Sequence, residues 1–266
     1  MIADSHMHSN FSSDSETPME QMVQQAIYLG IKSICFTDHY DKDYENDNFQ
    51  LDTEPYLKSI SAMREKFGDQ IEIRSGVELG LQIHLKEWLQ SYVNQYPFDF
   101  IIGSMHLLEG RDPYYPENFS GRSDEELLRQ YFRDTAANIE SFHAFQSLGH
   151  LDYLARYLNW ETGDYQYQDY QDEIDEILKK LIQYGIALEI NTGGCRSRLA
   201  RTNPGREILF RYHELDGELI TIGADGHTPE QVGYGFTHIA ELLKECGYGY
   251  YTVYRQKKPI FISIKD

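Results

Sequence analysis

Six of the ten histidines in this sequence lie in short polar signatures that close apolar runs. The runs that carry them are 2–8, 34–39, 101–106, 147–152 and 221–227, and a further run, 73–78, ends in a carboxylate. Imidazole and carboxylate are the usual ligands of Zn, Mn and Fe ions, and a bound cation offsets the cost of crowding so many of them together. The pattern predicts a hydrolase that holds several metal ions.

The spacing of these residues indicates shared ligand sets. His6 and His8 have the i, i+2 spacing at which two strand side chains face the same side, so both can bind one ion. Asp225 and His227 repeat that spacing at the end of the last run. Each signature alone could be a hydrogen-bonded core histidine or a turn. Together, at the ends of different strands, they indicate an active site.

Short β-branched or aromatic runs alternate with amphipathic segments along the chain. The predicted strands are 2–4, 31–37, 71–77, 98–104, 142–148, 186–191 and 219–223. The first predicted helix is capped by Thr17, has Pro18 at its first position and is closed by Gly30. The others are 54–67, 124–141, 170–184, 204–215 and 229–245. This alternation predicts an α/β fold with helices packed outside a parallel sheet.

Seven strands that each end in a polar signature fit a barrel better than an open sheet. A barrel collects residues from all of its strands at one mouth, whereas an open sheet uses one switch point. A chain of 266 residues can form such a barrel as a single domain, 1–266. Alternating side-chain polarity in the tail, 250–254 and 257–264, predicts a hairpin that closes the barrel's edge. Loops 41–52 and 108–122 are long enough to act as lids.

Composition limits the partners and the compartment. The formal charge of -19 argues against a nucleic-acid partner, which needs a basic face. No apolar run approaches the roughly 18 residues that span a bilayer, so no membrane contact is expected. Three cysteines without a CxxC pair suit a reducing compartment, and a strand that begins at Ile2 leaves no room for a signal peptide. We expect a cytoplasmic protein; the sequence does not indicate its oligomeric state.

The order of the signatures resembles the polymerase and histidinol phosphatase (PHP) family of metal-dependent phosphoesterases. From Asp4 to His227 the matching motifs read DxHxH, TDH, a strand-terminal Glu, GSxH, GH and DxH. Residues 149–153 (GHLDY) and 189–196 (EINTGGCR) are similar to the branch of stand-alone histidinol-phosphate phosphatases. The resemblance implies a distorted (β/α)₇ barrel of the TIM type that holds three divalent ions. It also implies hydrolysis of L-histidinol phosphate to L-histidinol and phosphate, a step of histidine biosynthesis.

The resemblance further implies which residues hold each ion. The first set is His6, His8, Glu78 and Asp225; the second, bridged by Glu78, adds His106 and His150; the third is Asp14, His39 and His227. Some relatives have histidine at the position of Asp14, so the metal preferred there can differ. Asp4 is expected to orient a ligand rather than bind directly. Glu78, Asp225 and His227 are the implied catalytic residues.

A bridged pair of ions suits the implied reaction. A bridging carboxylate fixes two ions about 3.5–4 Å apart, and a water between them becomes hydroxide near neutral pH. That hydroxide is the expected nucleophile, while the ions neutralise the phosphoryl oxygens. Zn, Mn and Fe all accept this ligand set, so the sequence leaves the metal open.

Substrate binding needs cationic donors beyond the metals. Arg156 and Arg196 follow two of the signatures and present the planar fork that matches phosphate oxygens. Either could instead form a surface salt bridge, and Arg198 or Arg201 could take the same role. The loop that follows His106 supplies acidic and aromatic side chains whose charge suits a substrate with an ammonium group. They are Glu109, Asp112, Tyr114, Tyr115 and Glu117.

The sequence leaves two other functions open. The same ligands could serve another small phosphorylated substrate, such as a nucleotide, because the identity of the alcohol depends on resemblance alone. The chain could also be a metal-binding module without catalysis, although every matched position retains a competent ligand. A phosphatase panel with metal-reconstituted protein separates these readings.

Overall fold

Seven parallel strands form a nearly closed barrel in the computed structural model, which describes residues 3–44, 48–158 and 164–264. The strand segments are β1 (Asp4–Met7), β2 (Ser33–Phe36), β3 (His39–Tyr40), β4 (Glu72–Gly80), β5 (Phe100–Ser104), β6 (Ser147–Leu148), β7 (Ala187–Asn191) and β8 (Ile220–Gly223). Their order is β1-β2-β4-β5-β6-β7-β8, and β3 resumes after β2 to pair with β4. The predicted α/β barrel is therefore confirmed. The predicted strand at 2–4 is longer at its carboxyl end, and Ile2 lies outside the described residues.

Both faces of the strands are buried, which explains their nearly continuous apolar sequences. Helices cover the outer face, and the inner face packs a small cluster that contains Cys35, Phe100, Ile102 and Ala187. A parallel sheet covered on both sides has no solvent face, so its strands lose the polar alternation of an exposed sheet. Polar residues consequently concentrate where the strands end.

The barrel is surrounded by α-helices that lie between the strands in sequence. They are α1 (Met19–Tyr28), α2 (Thr53–Phe67), α3 (Lys86–Gln95), α4 (Asp124–Ser141), α5 (Gln171–Tyr184), α6 (Arg206–Glu214) and α7 (Ile239–Glu245). Ser123 and Glu126 form a reciprocal capping box at the start of α4. Gly185 ends α5 with φ 66°, a left-handed conformation that glycine adopts without strain.

Three details of the predicted helices are wrong. The segment 229–245 is broken, because Gly233 and Gly235 have positive φ and only short 3₁₀ turns precede α7. Helix α3 was absent from the predicted set. Thr17 does not cap α1; its hydroxyl donates instead to the carbonyl oxygen of His227, 2.9 Å away. A residue expected to serve a helix thus holds part of the candidate site.

The seam between β1 and β8 is closed by a few bonds rather than by a full ladder. The amide of Asp225 donates to the His6 carbonyl at 2.8 Å, and the amide of His8 donates to the Gly226 carbonyl at 2.9 Å. The buried carboxylate of Asp4 accepts the amides of Ala224 and Gly233 at 3.0 Å each. Asp4 therefore acts as a side-chain substitute for missing strand pairing.

The tail forms the predicted hairpin, but its expected position is wrong. Strands β9 (Tyr250–Arg255) and β10 (Lys258–Ser263) make a separate antiparallel sheet and do not join the barrel. The hairpin covers the amino end of the strands, where the Tyr251 hydroxyl accepts the amide of Ala3 and the ring of Tyr254 stacks on Phe100. None of the helices in the described part of the chain has the length and apolar character to cross a lipid bilayer.

Candidate active site

The carboxyl ends of the barrel strands bring all nine predicted metal ligands into one cluster. They are His6, His8, Asp14, His39, Glu78, His106, His150, Asp225 and His227. Strands β1, β3 and β4 supply three of them, His6, His39 and Glu78, and the loops that follow β1, β5, β6 and β8 supply the other six. Because parallel strands all end at the same mouth, residues far apart in sequence converge there.

Glu78 lies at the centre of the cluster and is fully buried. Its Oε1 is 2.9 Å from His150 Nε2 and 3.2 Å from His106 Nε2. Its Oε2 is 3.1 Å from His6 Nε2 and 3.2 Å from His39 Nδ1. The two oxygens of one carboxylate therefore face two different groups of histidines, which is the geometry of a bridging ligand.

On the Oε2 side of Glu78, the close contacts among ring nitrogens and carboxylate oxygens outnumber the N–H groups that could bridge them. His6 Nε2 and His8 Nε2 are 3.2 Å apart, and Asp225 Oδ1 is 3.6 Å from the former and 3.4 Å from the latter. Facing imidazole nitrogens and carboxylate oxygens repel one another unless protons or a cation lie between them. His6, His8 and Asp225 have ligand atoms within 4.8 Å of one another, as have Glu78, His106 and His150.

The third predicted set lies nearest to solvent. Asp14 Oδ2 is 3.1 Å from His227 Nε2 and 3.7 Å from His39 Nε2. The Asp14 side chain is 42% exposed, against 21% for His227 and 11% for His39. His8 also approaches this set, because its ring stacks on that of His227 with centroids 4.1 Å apart.

Two buried carboxylates orient the histidines, and sequence reasoning gave neither a role. Glu189 Oε1 is 2.6 Å from His6 Nδ1, and Asp41 Oδ1 is 2.6 Å from His106 Nδ1. In both histidines Nδ1 meets a carboxylate and Nε2 faces the cluster, as is common around protein-bound metals. A signal was available, because Asp41 has i, i+2 spacing from His39 and Glu189 is an acid inside an apolar strand.

Glycines make room for both orienting carboxylates. A Cβ on Gly223 would lie 2.2 Å from the Cβ of His6 and 2.8 Å from Glu189 Oε1. A Cβ on Gly80 would lie 2.1 Å from Asp41 Oδ1. Neither approach is possible with a larger residue at these strand ends.

Mutual attraction within the cluster outweighs burial for several of its groups. Burial alone would raise the pKa of Glu78, but the imidazoles of His6 and His39 hold it well below its usual value. Burial would lower the pKa of His39, yet Glu78 and Asp14 raise it to about 9. Burial, together with the neighbouring imidazoles of His227 and His39, lowers the pKa of His8 to about 3. Protonated histidines therefore neutralise the carboxylates in the metal-free chain, and a metal must displace those protons.

The loop after β8 is held at every carbonyl from residue 223 to residue 227. Arg196 donates from Nη1 to the Ala224 carbonyl at 2.9 Å and from Nη2 to the Asp225 carbonyl at 2.7 Å. Thr192 holds the carbonyl of residue 223, the His8 amide that of residue 226, and Ser15 and Thr17 that of residue 227. Asp225 has φ 53°, a strained conformation for a non-glycine residue that its surroundings must impose.

A cavity of about 180 Å³ opens above the cluster, and of the two predicted phosphate-binding arginines only Arg156 lines it. Arg156 lines it, with Nε donating to Asn203 Oδ1 at 2.8 Å and Nη2 donating to Asn191 Oδ1 at 3.1 Å. Its Nη1 lies 3.6 Å from Asp225 Oδ2. Arg196 is absent from the lining, because its guanidinium is bonded to the backbone carbonyls behind Asp225. Of the two arginines, Arg156 therefore reaches the cavity and Arg196 does not.

The other loop arginines also lie away from the cavity. Arg201 pairs with Asp152 at 2.8 Å and with Asp164 at 2.5 Å, and Arg198 is exposed. Of the loops predicted as lids, residues 45–47 lie outside the described residues. The remainder contributes Tyr44, Phe49 and Asp112 to the cavity wall.

Comparison with known proteins agrees with this geometry. The PHP domain matches residues 4–193 of the chain. The histidinol-phosphatase of Lactococcus lactis subsp. lactis is 32% identical over 251 residues, which cover 92% of this chain and 91% of that protein. A probable histidinol-phosphatase of Clostridium acetobutylicum is 31% identical over 247 residues, covering 92% of this chain and 94% of the relative.

A solved structure extends the likeness to the fold. Histidinol phosphate phosphatase from Lactococcus lactis, crystallised with zinc, L-histidinol and phosphate, superposes with a TM-score of 0.91 at 29% identity. The superposition covers 97% of this chain and 98% of the other. The chain belongs to the PHP family, within its histidinol-phosphatase branch.

Proposed function

We propose that this protein is a metal-dependent phosphomonoesterase that hydrolyses L-histidinol phosphate to L-histidinol and inorganic phosphate. The observation that carries the proposal is Glu78, whose two oxygens face separate histidine groups. Three of those histidines, His39, His106 and His150, line a small cavity. The near-complete coverage by relatives named histidinol-phosphatases supports the choice of alcohol.

The donor set fits divalent transition-metal ions, and we propose three of them, with zinc as the first candidate. Three buried ring nitrogens of the described structure make no well-directed hydrogen bond: Nδ1 of His39, Nδ1 of His150 and Nε2 of His227. The first and the last lie 3.2 Å and 3.1 Å from carboxylate oxygens, as ligands of a shared cation would. Imidazole with carboxylate suits Zn, Mn and Fe alike. The proposed ligands are His6, His8 and Asp225 for one ion, His106 and His150 for a second, and Asp14, His39 and His227 for the third, with Glu78 between the first two.

Bound there, such ions would supply Lewis acidity, which lowers the pKa of water and neutralises phosphoryl oxygens. In the net reaction a water oxygen bonds to phosphorus, the bond from phosphorus to the alcohol oxygen breaks, and a proton reaches that oxygen. Glu78, Asp225 and His227 are the residues of the cluster that we propose as catalytic. Asp225 and His227 line the cavity as well as the cluster, so their side chains can reach the reacting group.

Arg156 is the proposed contact to the phosphoryl group. Two asparagine oxygens fix its guanidinium in the cavity wall, so its remaining donors are oriented before substrate binds. A charge-assisted contact strengthens as negative charge develops on the transferring group. Arg196, the other predicted contact, would act by holding Asp225 in place.

We also propose that residues 1–266 act as one phosphatase domain in the cytoplasm. Asp225 and His227 lie beyond residue 193, where the PHP match ends, yet they complete the cluster. The three cysteines are unpaired, which supports a reducing compartment.

The test is a phosphatase panel with zinc-, manganese- or iron-reconstituted protein. L-Histidinol phosphate should exceed nucleoside monophosphates and sugar phosphates in kcat/KM by about 100-fold or more, since a pocket with fixed polar groups rejects poorly matched alcohols. Chelator-treated protein serves as the matched blank. Preference for a nucleotide or a sugar phosphate would replace the proposed substrate, and no turnover with any metal would remove the enzymatic proposal.

A further inference from the structure

Asp112 brings a carboxylate to the cavity wall from the loop that follows β5. Its Oδ2 accepts a hydrogen bond from the Tyr44 hydroxyl, and its Oδ1 accepts the amide of Tyr114 at 2.8 Å. The side chain is half-buried and lines the same cavity as Arg156. Two contacts from different loops therefore fix the direction of this carboxylate before any ligand arrives.

Asp112 has no ion-pair partner among the described residues. No nitrogen of a described lysine, arginine or histidine lies within 4.0 Å of its carboxylate. Its neighbours differ: Asp14 and Asp41 contact histidines, and Glu109 in the same loop pairs with Arg122 at 3.0 Å. A half-buried carboxylate without a cation has lost part of its hydration and gains from an incoming positive charge.

Aromatic rings line the cavity around this carboxylate. Tyr44 and Phe49 pack with centroids 4.6 Å apart, and Tyr153 and Tyr157 pack with centroids 5.1 Å apart. Aromatic faces attract organic cations, and ring edges and faces also pack against a planar heterocycle. The cavity lining thus contains Arg156, which suits a phosphate, and Asp112, which suits a cation.

We propose that Asp112 binds the ammonium group of the substrate and so makes the site selective for phosphate esters of amino alcohols over those of neutral alcohols. This inference rests on the proposed phosphomonoesterase function. It gives Asp112 a role in specificity that is separable from the reaction at phosphorus. Of the acidic residues that the sequence offered in this loop, Glu109 and Glu117 lie outside the cavity lining.

The experiment compares two substrates that differ only at the amino group. L-Histidinol phosphate is paired with imidazolylpropyl phosphate, in which hydrogen replaces the amino group, and kcat/KM is measured for both with zinc-loaded protein. In wild type the amino substrate should be favoured by about 10- to 100-fold, the range of a hydrogen bond to a charged group. Asp112→Asn should remove most of that preference by raising KM for the amino substrate. The same variant should leave the other substrate within about 3-fold.

A matched variant separates this contact from loss of loop charge. Glu117→Gln removes one charge from the same loop at an exposed position and should keep the wild-type preference. Tyr44→Phe removes one of the contacts that orients Asp112 and should reduce the preference by a smaller factor than Asp112→Asn.

The outcomes distinguish the inference from the function on which it rests. Equal loss for both substrates in Asp112→Asn, or equal loss of preference in Glu117→Gln, would overturn the role of Asp112. Wild type that hydrolyses both substrates equally well would overturn it too, while leaving the phosphatase function intact. Wild type that hydrolyses neither would remove the proposed function itself.

Discussion

The two ends of the barrel bury charge in opposite ways. At the amino end a single guanidinium, that of Arg74, is buried almost completely. Its Nε donates to Ser33 Oγ at 3.1 Å and its Nη2 donates to Ser5 Oγ at 3.2 Å. Ser33 in turn donates to Glu72 Oε2 at 2.7 Å, so a hydroxyl links the charge to its carboxylate.

At the carboxyl end the buried groups share partners instead of dividing them. Glu78 faces five histidine rings, and the Nε2 atoms of His6 and His8 face each other as well as the same carboxylates. Such an arrangement is complete only when cations or protons lie among the ligands. The amino end is thus satisfied by the protein alone, whereas the carboxyl end depends on what it binds. Substitutions should therefore affect stability at one end and metal binding and activity at the other.

Glu78→Ala should produce the largest effect. It removes the carboxylate that faces both histidine groups, so we expect kcat/KM to fall by at least about 1000-fold and metal content to fall by more than one ion per chain. Steady-state kinetics and elemental analysis of the reconstituted variant measure both. His106→Ala, which removes one ligand, is the comparison. Higher activity in Glu78→Ala than in His106→Ala would contradict the bridging assignment.

Arg156→Ala should follow, with an intact metal cluster. Loss of one charge-assisted contact to the transferring group is expected to lower kcat/KM by about 30- to 1000-fold, or about 2–4 kcal/mol. Arg156→Lys should recover only part of it, because a point charge lacks the planar fork. Elemental analysis should show wild-type metal content.

Arg196→Ala should differ from Arg156→Ala in its effect on metal content. It frees the carbonyls of Ala224 and Asp225, so it should lower metal content together with activity. Normal metal content with a pure loss of turnover would give Arg196, rather than Arg156, the contact to phosphate.

Glu189→Gln should weaken the cluster without removing a ligand. The amide keeps the shape but lowers the basicity of His6, and changes of this kind typically cost about 10- to 100-fold in metal affinity or activity. Competition with a chelator measures the affinity. Wild-type affinity in the variant would mean that the contact of 2.6 Å between Glu189 and His6 does not tune the metal site.

The metal-stripped protein should lose stability as pH rises. The pKa of His39 is raised to about 9, so its protonation stabilises the folded chain fully below the usual pKa of 6.5. This contribution is lost as pH rises from there through the folded-state pKa of about 9. The depressed pKa of Glu78 contributes above its usual 4.5 and stays constant over this range. Melting temperature measured from about pH 6 to about pH 10 should therefore fall by several degrees for stripped protein. The zinc-loaded protein should show no such fall, and parallel curves for the two forms would contradict the idea that protons replace the metals.

Arg74→Met should have the smallest effect on activity. It leaves Ser5 without its guanidinium partner at the amino end, so the free energy of unfolding should drop by about 1–3 kcal/mol. With zinc bound, kcat/KM should stay within about 3-fold of wild type. Denaturant unfolding and kinetics on the same preparation test whether Arg74 contributes to stability but not to activity. A large loss of kcat/KM at unchanged stability would break the contrast between the two ends.

The sequence predicted the barrel, and the nine residues that it predicted as metal ligands lie in one cluster. Both results depend on repeated local patterns. Each strand end is marked by an apolar run followed by a polar signature, and seven such marks determine which residues meet. The hairpin of β9 and β10 was misplaced because alternation indicates pairing between strands but not the surface that a finished hairpin covers. The break before α7 followed from Gly233 and Gly235, which an amphipathic pattern overlooks.

The residues that support the ligands were harder to predict. Asp41 and Glu189 each contact a histidine at 2.6 Å, and both contacts join parts of the barrel that are far apart in sequence. The two arginines illustrate the same limit, since each follows a signature and both could face phosphate by sequence alone. Only the fold shows that Arg196 is bonded to the carbonyls behind Asp225 while Arg156 lies in the cavity wall.

The partial exposure of Asp14, beside a fully buried Glu78, has a consequence for how fast each bound ion would exchange. An ion held by Asp14, His39 and His227 would face solvent on one side and leave without unfolding of the barrel. Ions beside Glu78 would lie deeper, below the cavity that His106, His150 and Asp225 line. The outer position should therefore exchange its metal faster than the inner pair when the supply of metal or chelator changes.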